Sequence, residues 1–384
     1  MLQGVQVALG VCGSIAAVKT VELAHELRRQ GATVRAVTTS ASEWIINPWS
    51  LQYATDNPVV TELTGAVEHV ELCGRDGWAD VLLIAPGTAN TVGKMAAAID
   101  DSPVTTCATT ALGADLPIVV APAMHEPMYD HPGVLEAIDT LEEWGVQFVD
   151  PRIEEGKAKI ATEDAIVTET ARATTPDSLA GSTVVVTSGA TTELIDPIRT
   201  LSNRASGRTG REVARACYTR GADVVIVHDG PDLPWATVEQ VESAREMTDA
   251  VLDHVADADA LVSAAAISDY TVETASEKIR SSQTDLTLDL TPTPKLIDTV
   301  RETAPELPVV GFKAETESDH EAILDQARRL QQRADLAFVV GNRASVMESE
   351  ETHAVLIDGD NTEEIEGLKV QLGGRVADRL ATVV

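Results

Sequence analysis

VLLIAPGTANTVGKMA (residues 81–96) and IVVAPAMHEPMYDHP (residues 118–132) are built alike. Each opens as an unbroken apolar run, residues 81–85 and 118–121, stops at a proline and continues in small or polar residues. Apolar runs of this length are strands of a parallel sheet covered on both faces, and the residues beyond their carboxyl ends form loops that meet a ligand.

Working outward, residues 5–10 form another apolar strand, and the turn VCGSIAAVK (residues 11–19) enters a helix running through Arg29. Gly31 ends it before a strand at residues 33–38. This is βαβ arithmetic. The same pattern restarts at Thr183, so the fold class is α/β with two doubly wound, Rossmann-like domains. Pro176, Asp177, Ser178 and Gly181 cluster as a linker, giving domains at 1–178 and 179–384.

A chain of 384 residues with 44% hydrophobic content can bury two sizeable cores. No run approaches the roughly 18 apolar residues of a membrane span, and no basic, cleavable leader precedes the first strand; a soluble, cytoplasmic protein is expected. Cys12, Cys73, Cys107 and Cys217 are scattered without CxxC spacing, so neither a disulfide framework nor a zinc site is indicated. The net charge of −32 is spread along both halves. Such acidity argues against sequence-independent nucleic-acid binding and suits a surface solvated in high salt, as in a halophilic cytoplasm, the alternative being an ordinary acidic mesophilic enzyme.

The turn at residues 10–15 lets backbone amides and the Ser14 hydroxyl approach a phosphate at a helix start. Taken alone, Gly13 and Ser14 serve equally as a tight structural turn. In the second half, Ser206, Gly207 and Gly210 suit a triphosphate at another helix start. Neither GxxxxGK[ST] nor GxGxxG is present there.

PGTANT (residues 86–91) resembles the PASANT motif of the flavin-containing cysteine decarboxylases, and PAMHEPMY (residues 122–129) resembles their PxMNxxMW motif. GVCGSIAAVK (residues 10–19) is similar to that family's FMN-phosphate loop, and His69 in VEHVELCGRDGWAD (residues 67–80) matches its active-site histidine. The resemblance implies a flavodoxin-like flavoprotein domain. FMN would be held by Gly13, Ser14, Ile15, Thr39, Pro86, Thr88, Ala89, Asn90 and Met124, and substrate by His125 and Met128. His69 would assist proton removal, imidazole being suited to that at neutral pH.

Two departures stand out. The family's motif asparagine is His125 here, an imidazole still able to hydrogen-bond a carboxylate. Where bacterial relatives carry a flap cysteine that protonates the enethiolate, this chain has GKAKIAT (residues 156–162), with Lys159 at the cysteine's place; either Lys159 or a nearby group donates the proton, or the final reduction is handled differently.

DPIRTLSNRASGRTG (residues 196–210) is similar to the DPVRxISNxSSGxMG segment of phosphopantothenate-cysteine ligases. AAAISDY (264–270), EKIR (277–280), TPKLI (293–297), VVGFKAET (309–316) and VVGNRAS (339–345) follow in that family's order. The resemblance implies a ligase domain in which 4′-phosphopantothenate attacks CTP, pyrophosphate leaves, and cysteine displaces CMP. Asn203 would position the acyl-nucleotidylate, with Arg199 supporting the same loop; as a plain structural residue, Asn203 would be a helix N-cap. Lys278 would neutralise triphosphate charge, and Asp269 would hold nucleotide or Mg2+. Ser263, Ala264, Ala265, Thr293, Pro294, Lys295, Leu296 and Phe312 would line the nucleotide pocket. Arg328, from a helix predicted over residues 319–333, would add a basic contact or a solvated salt bridge.

Together the two resemblances imply a bifunctional enzyme that makes 4′-phosphopantothenoylcysteine and decarboxylates it to 4′-phosphopantetheine. They also imply self-association into flavin-site-sharing trimers, a dodecamer of trimers and ligase-domain dimers. A flavin decarboxylase of another substrate, a flavin prenyltransferase or a non-catalytic regulatory flavoprotein would keep the first signature without the second.

Overall fold

The structure, a computed structural model, describes residues 1–280, 286–315, 320–343 and 351–384. It divides into two compact units, Met1–Thr175 and Pro176–Val384.

In the first unit, strands β1 (Gln6–Val11), β2 (Thr33–Thr38), β3 (Val81–Gly87), β4 (Ile118–Pro122) and β6 (Gln147–Phe148) form one parallel sheet in the order β2-β1-β3-β4-β6. That is the flavodoxin-like order. All seven residues of β3 are buried because helices cover both faces. Val7, Leu9, Val81, Leu83 and Val119 pack with the helices Thr20–Arg29 and Glu163–Thr174. Ala8, Leu82, Ile84 and Val120 alternate to the other face, against the helices Ala89–Ala96, Pro103–Gly113 and Pro132–Glu143. Each large apolar side chain buried this way contributes about 1.5–3 kcal/mol. A separate three-stranded sheet, β5 (Met124–His125) with β8 (Lys157–Lys159) and β7 (Arg152–Glu154), stands beyond the end of β4.

In the second unit, β9 (Thr183–Thr187), β12 (Asp223–His228), β13 (Thr237–Gln240), β14 (Ala260–Ser263), β17 (Val309–Glu315) and β18 (Phe338–Arg343) are parallel in the order β13-β12-β9-β14-β17-β18. Counted along the chain this is the dinucleotide-fold order 3-2-1-4-5-6. An antiparallel pair, β19 (Glu351–Asp358) and β20 (Asn361–Leu368), extends it beyond β18. One face packs against the helices Arg208–Tyr218 and Lys369–Leu380, the other against Ala244–His254, Leu296–Thr303 and His320–Ala334. Two small hairpin sheets, β10 (Thr192–Leu194) with β11 (Thr200–Ser202) and β15 (Tyr270–Val272) with β16 (Leu290–Pro292), carry the loops around the carboxyl edge. The helix predicted over 319–333 runs His320–Ala334, with Asp319 outside the described residues. Among the described residues no helix is long and apolar enough to cross a membrane.

Candidate functional sites

Beyond the carboxyl ends of β1, β3 and β4 lies a cavity of about 1020 Å³. It gathers Gly13, Ser14, Ile15, Thr39, Thr88, Ala89, Asn90, Met124, His125, Met128 and Lys159 from five separated segments. Four helix starts capped by a hydroxyl border it: Ser14 accepts from the Ala16 amide at 3.3 Å, Thr39 from the Ser42 amide at 3.3 Å, Thr88 from the Thr91 amide at 3.2 Å, and Ser102 from the Thr105 amide at 3.2 Å. First-turn amides left over at such starts favour an anion. Gly13 is required sterically, since a Cβ there would lie 2.5 Å from the Ala41 Cβ. Ser14 also donates to the Ala123 carbonyl at 3.2 Å, tying the first loop to the one after β4. Exposed Ile15 and Met128 give the cavity an apolar side. This combination fits a phosphoester with a flat, partly apolar body.

The wall is rich in basic side chains. Lys19, Lys94, Arg152, Lys157 and Lys159 line it together with Asp101, which pairs with Lys94 at 2.7 Å, while Arg152 pairs with Glu154 at 3.3 Å, in a chain with 61 acidic and 29 basic residues. Several of these cations belong to the flap, a hairpin of β7 and β8 whose turn places Glu155 and Gly156 in the left-handed region at φ 54° and 67°. In register, His125 lies opposite Lys157, and Met124 opposite Ala158. Lys159 donates to Glu155 at 2.9 Å and to Glu154 at 3.0 Å, which raises its pKa and keeps it an ammonium. Lys19 and Lys157 were missed from sequence because nothing in their local spacing distinguishes them from solvated lysines.

Pro86 and His69 do not line this cavity. Pro86 is buried within β3. His69 sits on the six-residue helix Glu68–Cys73, its Nδ1 shielded and without a hydrogen-bond partner.

The second unit has a cavity of about 380 Å³ at the carboxyl edge of its sheet. Ser206, Gly207 and Gly210 meet Ser263, Ala264, Ala265, Asp269, Thr293, Pro294, Lys295, Leu296 and Phe312 there. Gly207, at φ 70°, caps the helix Arg208–Tyr218, whose first turn lines the cavity. A Cβ on Gly210 would lie 2.7 Å from the Ser188 Cβ, so the helix start can only approach β9 with glycine there. Ser188 in turn donates to the Gly207 carbonyl at 2.7 Å. Asp269 pairs with Lys295, and the Thr293 amide donates to the Asp269 carbonyl at 3.0 Å. Among the described residues no three His, Cys, Asp or Glu side chains gather as a metal cage.

Asn203, Arg199, Lys278 and Arg328 stand outside the lining. Asn203 donates through Nδ2 to the Ala266 carbonyl at 2.9 Å, linking its loop to the cavity wall. Arg199 forks onto buried Asp196, which also accepts from the Ile198, Arg199 and Ile279 amides at 2.9, 2.9 and 3.0 Å. The guanidinium, then these amides, hold the Asp196 carboxyl well below the usual carboxylate range. Arg199 also donates to the Ile279 carbonyl at 2.6 Å. The pair therefore fastens the segment bearing exposed Lys278. Arg328 is half-buried with Nε unpartnered, and Arg333 of the same helix reaches the cavity instead. Lys313 and Asn342 line it from β17 and β18.

The profile of a family described as Flavoprotein matches residues 1–175, and that of the DNA/pantothenate metabolism flavoprotein C-terminal domain matches residues 179–384. The chain is 45% identical over 386 residues to the coenzyme A biosynthesis bifunctional protein CoaBC of Thermococcus kodakarensis, covering 99% of this chain and 95% of that one. To the CoaBC of Methanocaldococcus jannaschii it is 32% identical, covering 100% and 95%. Among solved structures, the FMN-dependent cysteine decarboxylase SpaF shares 31% identity over 46% of this chain and 100% of its own, with a TM-score of 0.41.

Proposed function

Because the chain belongs to the family of bifunctional coenzyme A biosynthesis proteins and carries its decarboxylase and ligase activities, we propose that its two cavities work in sequence on one intermediate. The observation that carries this reading is the second cavity, where a helix start and two distant loops meet in the same chain as the flavoprotein unit. There 4′-phosphopantothenate and CTP would lie along residues 206–210 and 263–269. A carboxylate is a poor acyl donor until its oxygen can leave. Attack on the α-phosphate of CTP releases pyrophosphate, and the cysteine amine then displaces CMP to form 4′-phosphopantothenoylcysteine. Lys278 and Lys295 would offset triphosphate charge. Asp269 would add a carboxylate to Mg2+ held chiefly by phosphate oxygens and water, a requirement smaller than a full protein cage.

The first cavity would hold FMN, its phosphate at Gly13, Ser14 and the helix starts, its ring beside Thr88, Asn90 and Met124. When bound, FMN supplies a reversible two-electron oxidation of the substrate's thiol-bearing carbon, which makes loss of carbon dioxide feasible. His125 would hydrogen-bond the substrate carboxylate, and His69 would take the proton. Since His69 lies outside its own chain's cavity, the reading includes a trimer in which a neighbouring copy completes the site. Trp44, Trp49 and Tyr53, 79–89% exposed in a chain with 3% aromatic residues, support such a contact. The dodecamer of trimers, ligase-domain dimers, a cytoplasmic location and a high-salt milieu matched to the net charge of −32 belong to the same proposal.

Lys159 is proposed to return the proton that bacterial relatives take from a cysteine. With Lys159→Gln, the unsaturated aminoenethiol should accumulate in place of the saturated thiol, read by mass spectrometry; unchanged formation of the saturated product would remove Lys159 from the mechanism. The whole reading is tested by supplying phosphopantothenate, cysteine, CTP and Mg2+ to the full chain, purified in high salt with its flavin. Pyrophosphate and carbon dioxide should appear in equal amounts. Release of neither would overturn it.

A further inference from the structure

We propose that Arg35 is the positioning residue for His69, fixing the rotation of the short helix that carries it; this rests on His69 being the proton-accepting group.

The helix Glu68–Cys73 has little of its own to hold it. Six residues are far below the length at which helices persist unaided. Its N-cap is Val67, which offers no side-chain acceptor and stands in the left-handed region at φ 52°. A β-branched residue there is a backbone outlier, and outliers of this kind persist only where the surroundings over-determine them.

Those surroundings are specific. Leu72 and Cys73 are fully buried, and the amides of Trp78 and Ala79 each donate at 2.8 Å to the carbonyls of Glu71 and Leu72. These contacts seat the helix but act through its carboxyl end. Leu72 and Cys73 pack in one cluster with Ala8, Val37 and Leu82 of the sheet, and Glu71 is the side chain through which β2 ties the helix by hydrogen bonds. Arg35 Nη1 and Nη2 fork onto its two oxygens at 2.7 and 3.0 Å, and the Arg35 guanidinium carbon lies 5.0 Å from the centre of the Trp78 ring. Arg35 rises from the middle of β2, paired in register with Ala8, so its base is as rigid as the sheet.

Glu71 follows His69 by two residues, about 200° around the helix axis. The fork therefore grips the side opposite the imidazole. A planar guanidinium held at two oxygens and stacked on a ring resists rotation in a way that a single ammonium contact does not. With His69 Nδ1 unpartnered, no direct hydrogen bond to that atom fixes the ring, so its aim is set by the helix.

The experiment compares Arg35→Gln in the full flavin-loaded chain and in a His69→Asn background, assaying decarboxylation of phosphopantothenoylcysteine. In the His69 chain kcat should fall about tenfold to a hundredfold with KM and flavin content unchanged, as for a small misplacement of a reacting group. Amide hydrogen exchange over residues 68–73 should rise at least about tenfold. In the His69→Asn background the same substitution should change the residual rate by less than about twofold, because coupled residues are non-additive. Arg35→Lys, which keeps charge but loses the fork, should not restore the rate. Equal losses in both backgrounds, or an undiminished kcat, would overturn the proposal. If His69→Asn alone leaves decarboxylation intact, the role of His69 fails first and the positioning role goes with it.

Discussion

His69→Asn should lower decarboxylation by about a hundredfold to ten-thousandfold while pyrophosphate release at the ligase site stays within about twofold of the unsubstituted chain. The expected loss is large because proton transfer by a placed imidazole is the contribution being removed, and asparagine can occupy the position without taking a proton. The site tolerates the change structurally. His69 makes no hydrogen bond through Nδ1, and the apolar anchors of its helix, Leu72 and Cys73, are untouched. Both rates can be read in one preparation, carbon dioxide for the first and pyrophosphate for the second. Retention of more than about a third of the decarboxylase rate would remove His69 from the chemistry.

Asn203→Asp should do the converse, abolishing amide formation by a factor of about a hundred or more while supplied phosphopantothenoylcysteine is still decarboxylated. In the structure the Asn203 Nδ2 donates to the Ala266 carbonyl. A carboxylate cannot donate and sets two like partial charges against each other at a distance of about 3 Å. The substrate loop would then lose its tie to the wall formed by residues 264–268, which the Ala266 amide also joins to Gly189 at 2.8 Å. A displacement of about 1 Å between acyl donor and amine suffices for a loss of this size. The new charge also repels a phosphorylated carboxylate and a triphosphate. Product formation followed by mass spectrometry decides the matter; loss of both activities would contradict independent sites.

The fold was legible because its strands carry the signal locally. Residues 81–85 and 118–121 are apolar without interruption, and a strand so composed can only be central and covered on both faces. The turn glycines were legible for a related reason: Gly13 and Gly210 stand where a Cβ would collide with Ala41 or Ser188, a constraint written at a single position. What could not be read was convergence. Lys19 and Lys157 are 138 positions apart and become neighbours of one cavity only through the flap sheet, whose pairing of His125 with Lys157 has no signature in either segment. The same applies to Lys313, Arg333 and Asn342 in the second cavity. The link that Arg199 makes is of the same kind. Its fork onto Asp196 and its bond to the Ile279 carbonyl join two segments that the sequence leaves 80 residues apart.

A cavity rich in basic side chains inside so acidic a chain has a kinetic consequence. A phosphorylated carboxylate approaching a molecule of net charge −32 is repelled at a distance and attracted only once it is beside Lys19 and Lys157. The two fields differ in range, and salt separates them: the screening length falls from about 8 Å at 0.15 M to about 3 Å at 1 M. Added salt therefore removes the outer barrier before it weakens contacts at hydrogen-bond distance. Where electrostatic steering attracts a charged metabolite, salt slows capture; in this chain the expected result is the opposite, a rate of capture that rises with the first additions of salt.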